Sequence, residues 1–181
     1  MLDLFFKGGP LMWPILACSI TALAVTLHKG VQYTLVFRQL RGRAEEIRKR
    51  RPWFLVPLLK ALGDGAGERE LSLIGTRQVR LLERGLGLLS LITVISPILG
   101  LTGTVTGMIA TFQVIGAGTG GVDPSLLATG IWEALITTAA GLLVAVPAHV
   151  ASHILDERLS EIALSLQEVV LSLRNGGSDA V

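Results

Sequence analysis

The chain is poor in the residues that usually carry chemistry. It has one cysteine and three histidines. The lone thiol, Cys18, excludes an internal disulfide and any cysteine-based metal cluster; it lies in an apolar block and reads as a small hydrophobe. His149 and His153 stand four apart on one helical face, with no cysteine or third histidine near them. A metal site needs more ligands than that, so both read as structural. The GxxxxGK[ST], GxSxG and HExxH patterns are missing, and no enzymatic chemistry or cofactor is expected.

Charge is scarce as well. Only 17% of the 181 residues are charged, where a soluble domain carries about a quarter. The deficit is concentrated in apolar blocks, and residues 86–115 hold no charge at all.

Those blocks are what the sequence has in abundance. Transmembrane spans are read at 10–36, 86–115 and 126–149. Each exceeds the ~20 residues that cross ~30 Å of hydrocarbon as a helix. Around them lie an outer N-terminal segment (1–9), a basic cytoplasmic helical segment (37–85), an outer loop (116–125) and a cytoplasmic amphipathic helix with its tail (150–181). The expected fold class is all-α: a polytopic membrane protein with three transmembrane helices and cytoplasmic helical extensions.

Orientation follows from charge. Residues 37–85 carry twelve Lys or Arg against six acids, while the loop GAGTGGVDPS carries only Asp123. The positive-inside rule puts the basic segment and the C-terminus in the cytoplasm and the N-terminus outside. A cleavable signal peptide would place its positive charge before the apolar run; here RQLRGRAEEIRKRR follows it, which fits a retained anchor. The basic run has rival readings as a nucleic-acid or anionic-lipid contact. It adjoins a span and includes two glutamates, so it reads as a topology marker, and no nucleic-acid partner is expected. Trp13, Tyr33 and Phe37 fall near the ends of the first span, where interfacial rings are favoured.

Two stripes mark helices outside the spans. Leu155, Leu159, Ile162, Leu166, Val169 and Leu173 form a coiled-coil-like seam. With no Gly or Pro between the third span and this seam, the third helix should run on to a stop at Asn175-Gly176-Gly177. Leu71, Ile74, Gln78, Leu81 and Leu82 form a weaker stripe that should feed into the second span, and residues 51–67 read as a break followed by short helices. These apolar faces imply homo-oligomerisation.

The spans also carry polar and small residues. Gly100, Gly103 and Gly107 share a face that allows close helix approach, and Pro97 removes a backbone donor. Thr102, Thr104 and Thr106 can each bond their own backbone. In the third span Glu133 shares a stripe with Gly130, Thr137 and Gly141, and Thr138 lies about 100° around from Thr137. A carboxylate at bilayer depth costs roughly 2.5–3.5 kcal/mol on insertion scales. Glu133 is therefore either a structural or near-interface carboxylate, or a member of an ion path.

The block ISPILGLTGTVTGMIATF, followed by IWEALITTAAGLLVAVPAHV, resembles the MotA/TolQ/ExbB proton-channel family and is most similar to its ExbB/TolQ branch. The resemblance covers roughly residues 80–153. It implies a pentamer of three-helix subunits in the bacterial inner membrane. The central pore would hold an ExbD/TolR-like dimer whose membrane aspartate carries the proton, with a TonB- or TolA-like third component. Thr104, Glu133 and Thr138 match the polar positions that face that aspartate, and Pro97 and Pro147 match the two motif prolines.

Ser96, Ile98 and Thr102 depart from the pattern, as does His153, and the N-terminal segment and cytoplasmic loop are short for the branch. Spacing and resemblance together give an expected ion path of Thr104, Thr138, Glu133 and Thr137, with Pro97, Gly100, Gly103, Gly107, Gly141 and Pro147 in helix packing and bends. The extra hydroxyls of Thr102, Thr106 and Thr137 keep sodium open beside the proton. Two other classes remain: a non-conducting membrane scaffold, and a solute transporter, for which the expected internal repeats are not seen.

Overall fold

The computed structural model describes residues 8–40, 52–117 and 124–175. Every described element is an α-helix: α1 (Met12–Leu40), α2 (Val56–Gly63), α3 (Glu68–Glu83), α4 (Leu86–Ala117) and α5 (Pro124–Asn175). Helices α1, α4 and α5 are long and apolar enough to cross a membrane. The basic run at 41–51, residues 118–123 of the outer loop and the Gly176-Gly177 stop lie outside the described residues. The chain groups into two compact units, Met1–Thr26 with Leu88–Ser152, and Leu27–Gly87 with His153–Val181.

In the first unit, α1 starts from a Gly8-Gly9-Pro10 turn. Gly9 takes a φ of 71° there, and the Met12 N–H donates to its carbonyl at 3.2 Å. The helix begins two residues later than position 10 and continues beyond 36 to Leu40.

Helices α4 and α5 meet in an antiparallel seam of small residues. Ser96, Gly100 and Gly103 are buried on α4, and Ala134, Thr137, Gly141, Ala145, Ala148 and Ser152 on α5. A Cβ placed on Gly141 would lie 2.6 Å from the Ser96 carbonyl oxygen and 3.2 Å from the Gly100 Cα. One on Gly103 would lie 2.8 Å from the Thr137 Cβ, and one on Gly107 3.3 Å from the Ala134 Cβ. One on Gly130 would run into the Thr111 side chain. Ser96, Gly100, Gly103, Gly107 and Thr111 thus face, in reverse order, Gly141, Thr138, Thr137, Ala134 and Gly130.

Lipid tails are as apolar as leucine, so close packing of backbones holds such helices together where the hydrophobic effect does not. The other faces carry Leu101, Val105, Ile109, Phe112, Leu135, Leu143 and Val146, all exposed and apolar. Helix α4 continues through Pro97 and α5 through Pro147.

In the second unit the buried positions of α5 become large: Leu155, Leu159, Ile162 and Leu166 are each at most 8% exposed. The helix runs unbroken from 124 to 175, as the seam implied. Pro57 stands in the first turn of α2, where its missing N–H costs nothing. A Cβ on Gly75 of α3 would touch Leu166 of α5 at 3.8 Å.

The expected passage of the α3 stripe straight into the second span is not what forms. Leu71 and Leu82 are buried, but Leu81 is exposed, and the helix ends at Glu83. Arg84 is extended (φ −53°, ψ 126°) and Gly85 takes φ 98° before α4 starts at Leu86.

The break is held from α1. Lys29 Nζ and Tyr33 Oη each donate to the Leu82 carbonyl oxygen at 2.8 Å, and Lys29 also donates to Gln32 Oε1 at 3.1 Å. A helix leaves its last carbonyls without amide partners and concentrates negative partial charge there. An ammonium and a hydroxyl answer both needs. Tyr33 is only 3% exposed inside this clamp.

Two outcomes follow. Gly141→Val should destabilise the α4/α5 pair by about 1–3 kcal/mol or more, because overpacking against a backbone carbonyl has no side-chain relief. Gly116→Val, with nothing within 4 Å of its new Cβ, should be near neutral in the same denaturation series in detergent. Lys29→Met and Tyr33→Phe should each cost about 1 kcal/mol. The double variant should cost more than the sum, read as faster hydrogen exchange in the last turn of α3.

Candidate functional site

Of the polar residues of the spans, Ser96, Thr137 and Thr138 lie on the α4/α5 seam, while Thr102 and Thr106 are exposed on α4. Thr138 Oγ1 donates to the Gly100 carbonyl oxygen across the seam at 2.9 Å. A Cβ on Gly100 would sit 3.0 Å from the Thr138 Cα, so the bare glycine is what lets the hydroxyl reach that carbonyl. Thr104, one turn further along α4, is half-buried and donates to the Leu101 carbonyl at 2.7 Å.

Thr102 and Thr106 are exposed; they donate to the carbonyls of Ile98 at 2.8 Å and Thr102 at 2.9 Å. Thr111 bonds the Gly107 carbonyl at 2.8 Å. Each of these hydroxyls has its proton committed to a carbonyl and keeps its lone pairs. Each can therefore accept a hydrogen bond or contact a cation, and offers little to a bare carboxylate.

Thr137, only 1% exposed, points into the seam against Gly103. Its hydroxyl lies 3.0 Å from the Glu133 carbonyl oxygen and 3.2 Å from that of Gly8. It is therefore bonded inside the packing, unlike the more open Thr104 and Thr138.

Glu133 is exposed beside an open groove of about 440 Å³ that it shares with Ser125, Ala128, Thr129 and Trp132. It lies nine residues into α5, about 14 Å along the axis at the helical rise. A Cβ on Gly9 would stand 3.2 Å from its Oε1, so the Gly8-Gly9-Pro10 turn packs close to the carboxylate.

The remaining expectations are placed as follows. Gly100, Gly103, Gly107 and Gly141 all lie in the seam. Pro97 is half-buried on α4 and Pro147 exposed on α5. His153 Nε2 is 3.6 Å from Glu157 Oε1 on the exposed face, and His149 is exposed. Among the described residues no group of three or more His, Cys, Asp or Glu could hold a metal ion.

Sequence reading missed two features. One is the Lys29–Tyr33 clamp, whose signal was a lysine and a tyrosine four apart within an apolar span. The other is Ser96, fully buried with no hydrogen-bond partner for its Oγ, in the turn before Gly100. It was noted only as a departure from a motif.

Comparison of the sequence with known proteins identifies the family. Residues 59–168 match the model of the MotA/TolQ/ExbB proton channel family. An ExbB-like biopolymer transport protein of Synechocystis is 36% identical over 169 residues, covering 81% of this chain and 66% of that protein. The biopolymer transport protein exbB1 of Vibrio cholerae is 47% identical over 93 residues, 49% of this chain and 41% of the relative. The Tol-Pal system protein TolQ of Haemophilus influenzae is 36% identical over 94 residues, 52% and 41% of the two chains. The chain thus spans between about two fifths and just under two thirds of these relatives. Three membrane-length helices, two of them joined by a seam of glycine and threonine, and this match over more than half the chain place it in the ExbB/TolQ branch of the MotA/TolQ/ExbB proton channel family.

Proposed function

We propose that this chain is the ion-conducting, stator-type subunit of an inner-membrane complex that uses the proton motive force to energise work on a periplasmic or outer-membrane partner. Its assembly is a homopentamer around a dimer of ExbD/TolR-like single-span chains, with a TonB- or TolA-like protein taking up the work. Support for assembly comes from apolar side chains left exposed on the stalk, Leu73, Leu164 and Leu171. The relatives' names supply the class of work.

The observation that carries the reading is the Thr138–Gly100 bond, with the protons of Thr104, Thr111 and Thr137 beside it also committed to carbonyls. An acid in a low-dielectric pore is costly as a carboxylate and cheap when protonated. A protonated carboxyl can donate to the lone pairs of Thr138 and Thr104, whereas a carboxylate finds acceptors where it needs donors. The seam therefore favours the loaded, neutral acid, and deprotonation weakens its hold.

Five equivalent seams around an asymmetric dimer then act as successive stations. One charge falling through 100 mV releases ~2.3 kcal/mol, enough to bias a step between such stations. Glu133, in its open groove at the outer end, raises the local cation concentration at the entry side.

Flux into liposomes holding the chain with its membrane partner, driven by a potassium diffusion potential, tests this. Thr138→Val should lower acidification about ten-fold or more, the cost of one lost hydrogen bond to the loaded acid. Thr138→Ser should keep most of it. Undiminished flux in Thr138→Val would overturn the assigned path. Flux that needs sodium would transfer the coupling to that ion, for which the exposed hydroxyls of Thr102 and Thr106 are suitable oxygen donors. An intact complex without flux in either buffer would leave a scaffold.

Glu133→Gln should lower flux a few-fold, as a steering charge would, and most strongly at low ionic strength, because salt screens an exposed carboxylate. A loss equal at all salt concentrations would give Glu133 a structural role instead.

A further inference from the structure

We infer that the groove between the C-terminal part of α1 and the start of the α5 stalk is a binding site for an anionic phospholipid of the cytoplasmic leaflet. The groove has a volume of about 310 Å³. Phe37, Ile154, Leu155 and Ile162 line it with apolar surface, and Gly30 leaves one wall without a side chain. Nothing lies within 4 Å of the position a Gly30 Cβ would occupy. Two arginines border it, Arg38 in the last turn of α1 and Arg158 on α5, both exposed.

The chemistry of this lining selects the occupant. Guanidinium groups suit phosphate because their planar donors match its oxygens. Arg158 is bonded to Glu161 Oε2 at 3.0 Å, but that pair is more than half exposed on both sides, and such pairs are weak enough to yield to a better anion.

The acids nearby count against a small free anion. Besides Glu161, Asp156 and Glu83 act electrostatically on Tyr33 in the groove wall. A ligand must therefore gain from the apolar lining as well as from the arginines, which a phospholipid does and inorganic phosphate does not. Position agrees, because the sequence following Arg38 is the basic stretch on the cytoplasmic side of the first span. Basic pockets between membrane helices on that side hold anionic headgroups.

The test counts lipids on the full chain in its purified complex. The complex is washed in detergent, offered phosphatidylglycerol in an excess of phosphatidylcholine, and examined by native mass spectrometry. Wild type should retain phosphatidylglycerol selectively. The double variant Arg38→Gln/Arg158→Gln should lose it by about ten- to thirty-fold, and Arg38→Lys/Arg158→Lys should keep much of it.

Gly30→Leu, which fills the groove without touching a charge, should lose the lipid to a similar extent. Arg77→Gln, an exposed α3 arginine outside the groove, should not. Retention unchanged in both groove variants would overturn the site, as would equal retention of phosphatidylcholine. Displacement of the lipid by millimolar inorganic phosphate would reassign it to a free anion. A cross-link from position 154 to a second subunit, without retained lipid, would make the groove a subunit contact.

Discussion

The structure of the membrane half rests on one constraint: the backbones of α4 and α5 have to come close enough for one helix to bond the carbonyls of the other. In lipid there is no gain from hiding apolar side chains from water, so a seam survives only where atoms fit without gaps. Gly141 against the Ser96 carbonyl and Gly100 against Thr138 supply that fit. The consequence is chemical as well as mechanical. A residue with a Cβ at position 100 would push Thr138 away and leave its hydroxyl to find another carbonyl. The glycines that pack the helices are therefore also the residues that keep the threonine proton occupied and its lone pairs free.

The stalk follows a different rule. Along α5 the buried side chains change from Ala, Gly, Thr and Ser to Leu and Ile after Ser152. Burying large apolar side chains is favourable wherever it removes them from water, at about 25 cal/mol per Å². The same helix thus packs through small residues in the first unit and through large ones in the second. At the start of α4 a helix end is stabilised from outside itself. Lys29 and Tyr33 satisfy the Leu82 carbonyl, and Gly85 takes the left-handed turn that side-chain-bearing residues avoid.

Much of this was legible in the residues. The three spans, the continuation of the third into a stalk, the Leu155 to Leu166 seam and the small-residue face on α4 all follow from hydropathy and helical period. Periodicity also placed Glu133 and Thr137 on one stripe. It could not separate their environments: Thr137 is enclosed between Gly103 and the Gly8 carbonyl, while Glu133 lies open beside a groove. That difference is made by the Gly8-Gly9-Pro10 turn, more than a hundred residues away in sequence. The α3 stripe misled for a related reason. A hydrophobic repeat reports a helical face and not a helix end, and the end here depends on a lysine contributed by α1.

The sequence by itself determined that the chain is helical, that three of its segments suit a bilayer, and which faces are small, polar or apolar. These are local properties, set by composition and by a period of 3.6 residues. Tertiary structure alone decided which threonine reaches across to a neighbouring helix and which is sealed in packing. It also decided where α3 stops, and that a lysine in an apolar span caps a helix. Each of these is settled by which carbonyls and which bare glycine backbones come within about 3 Å of a side chain, and helical period carries no information about that.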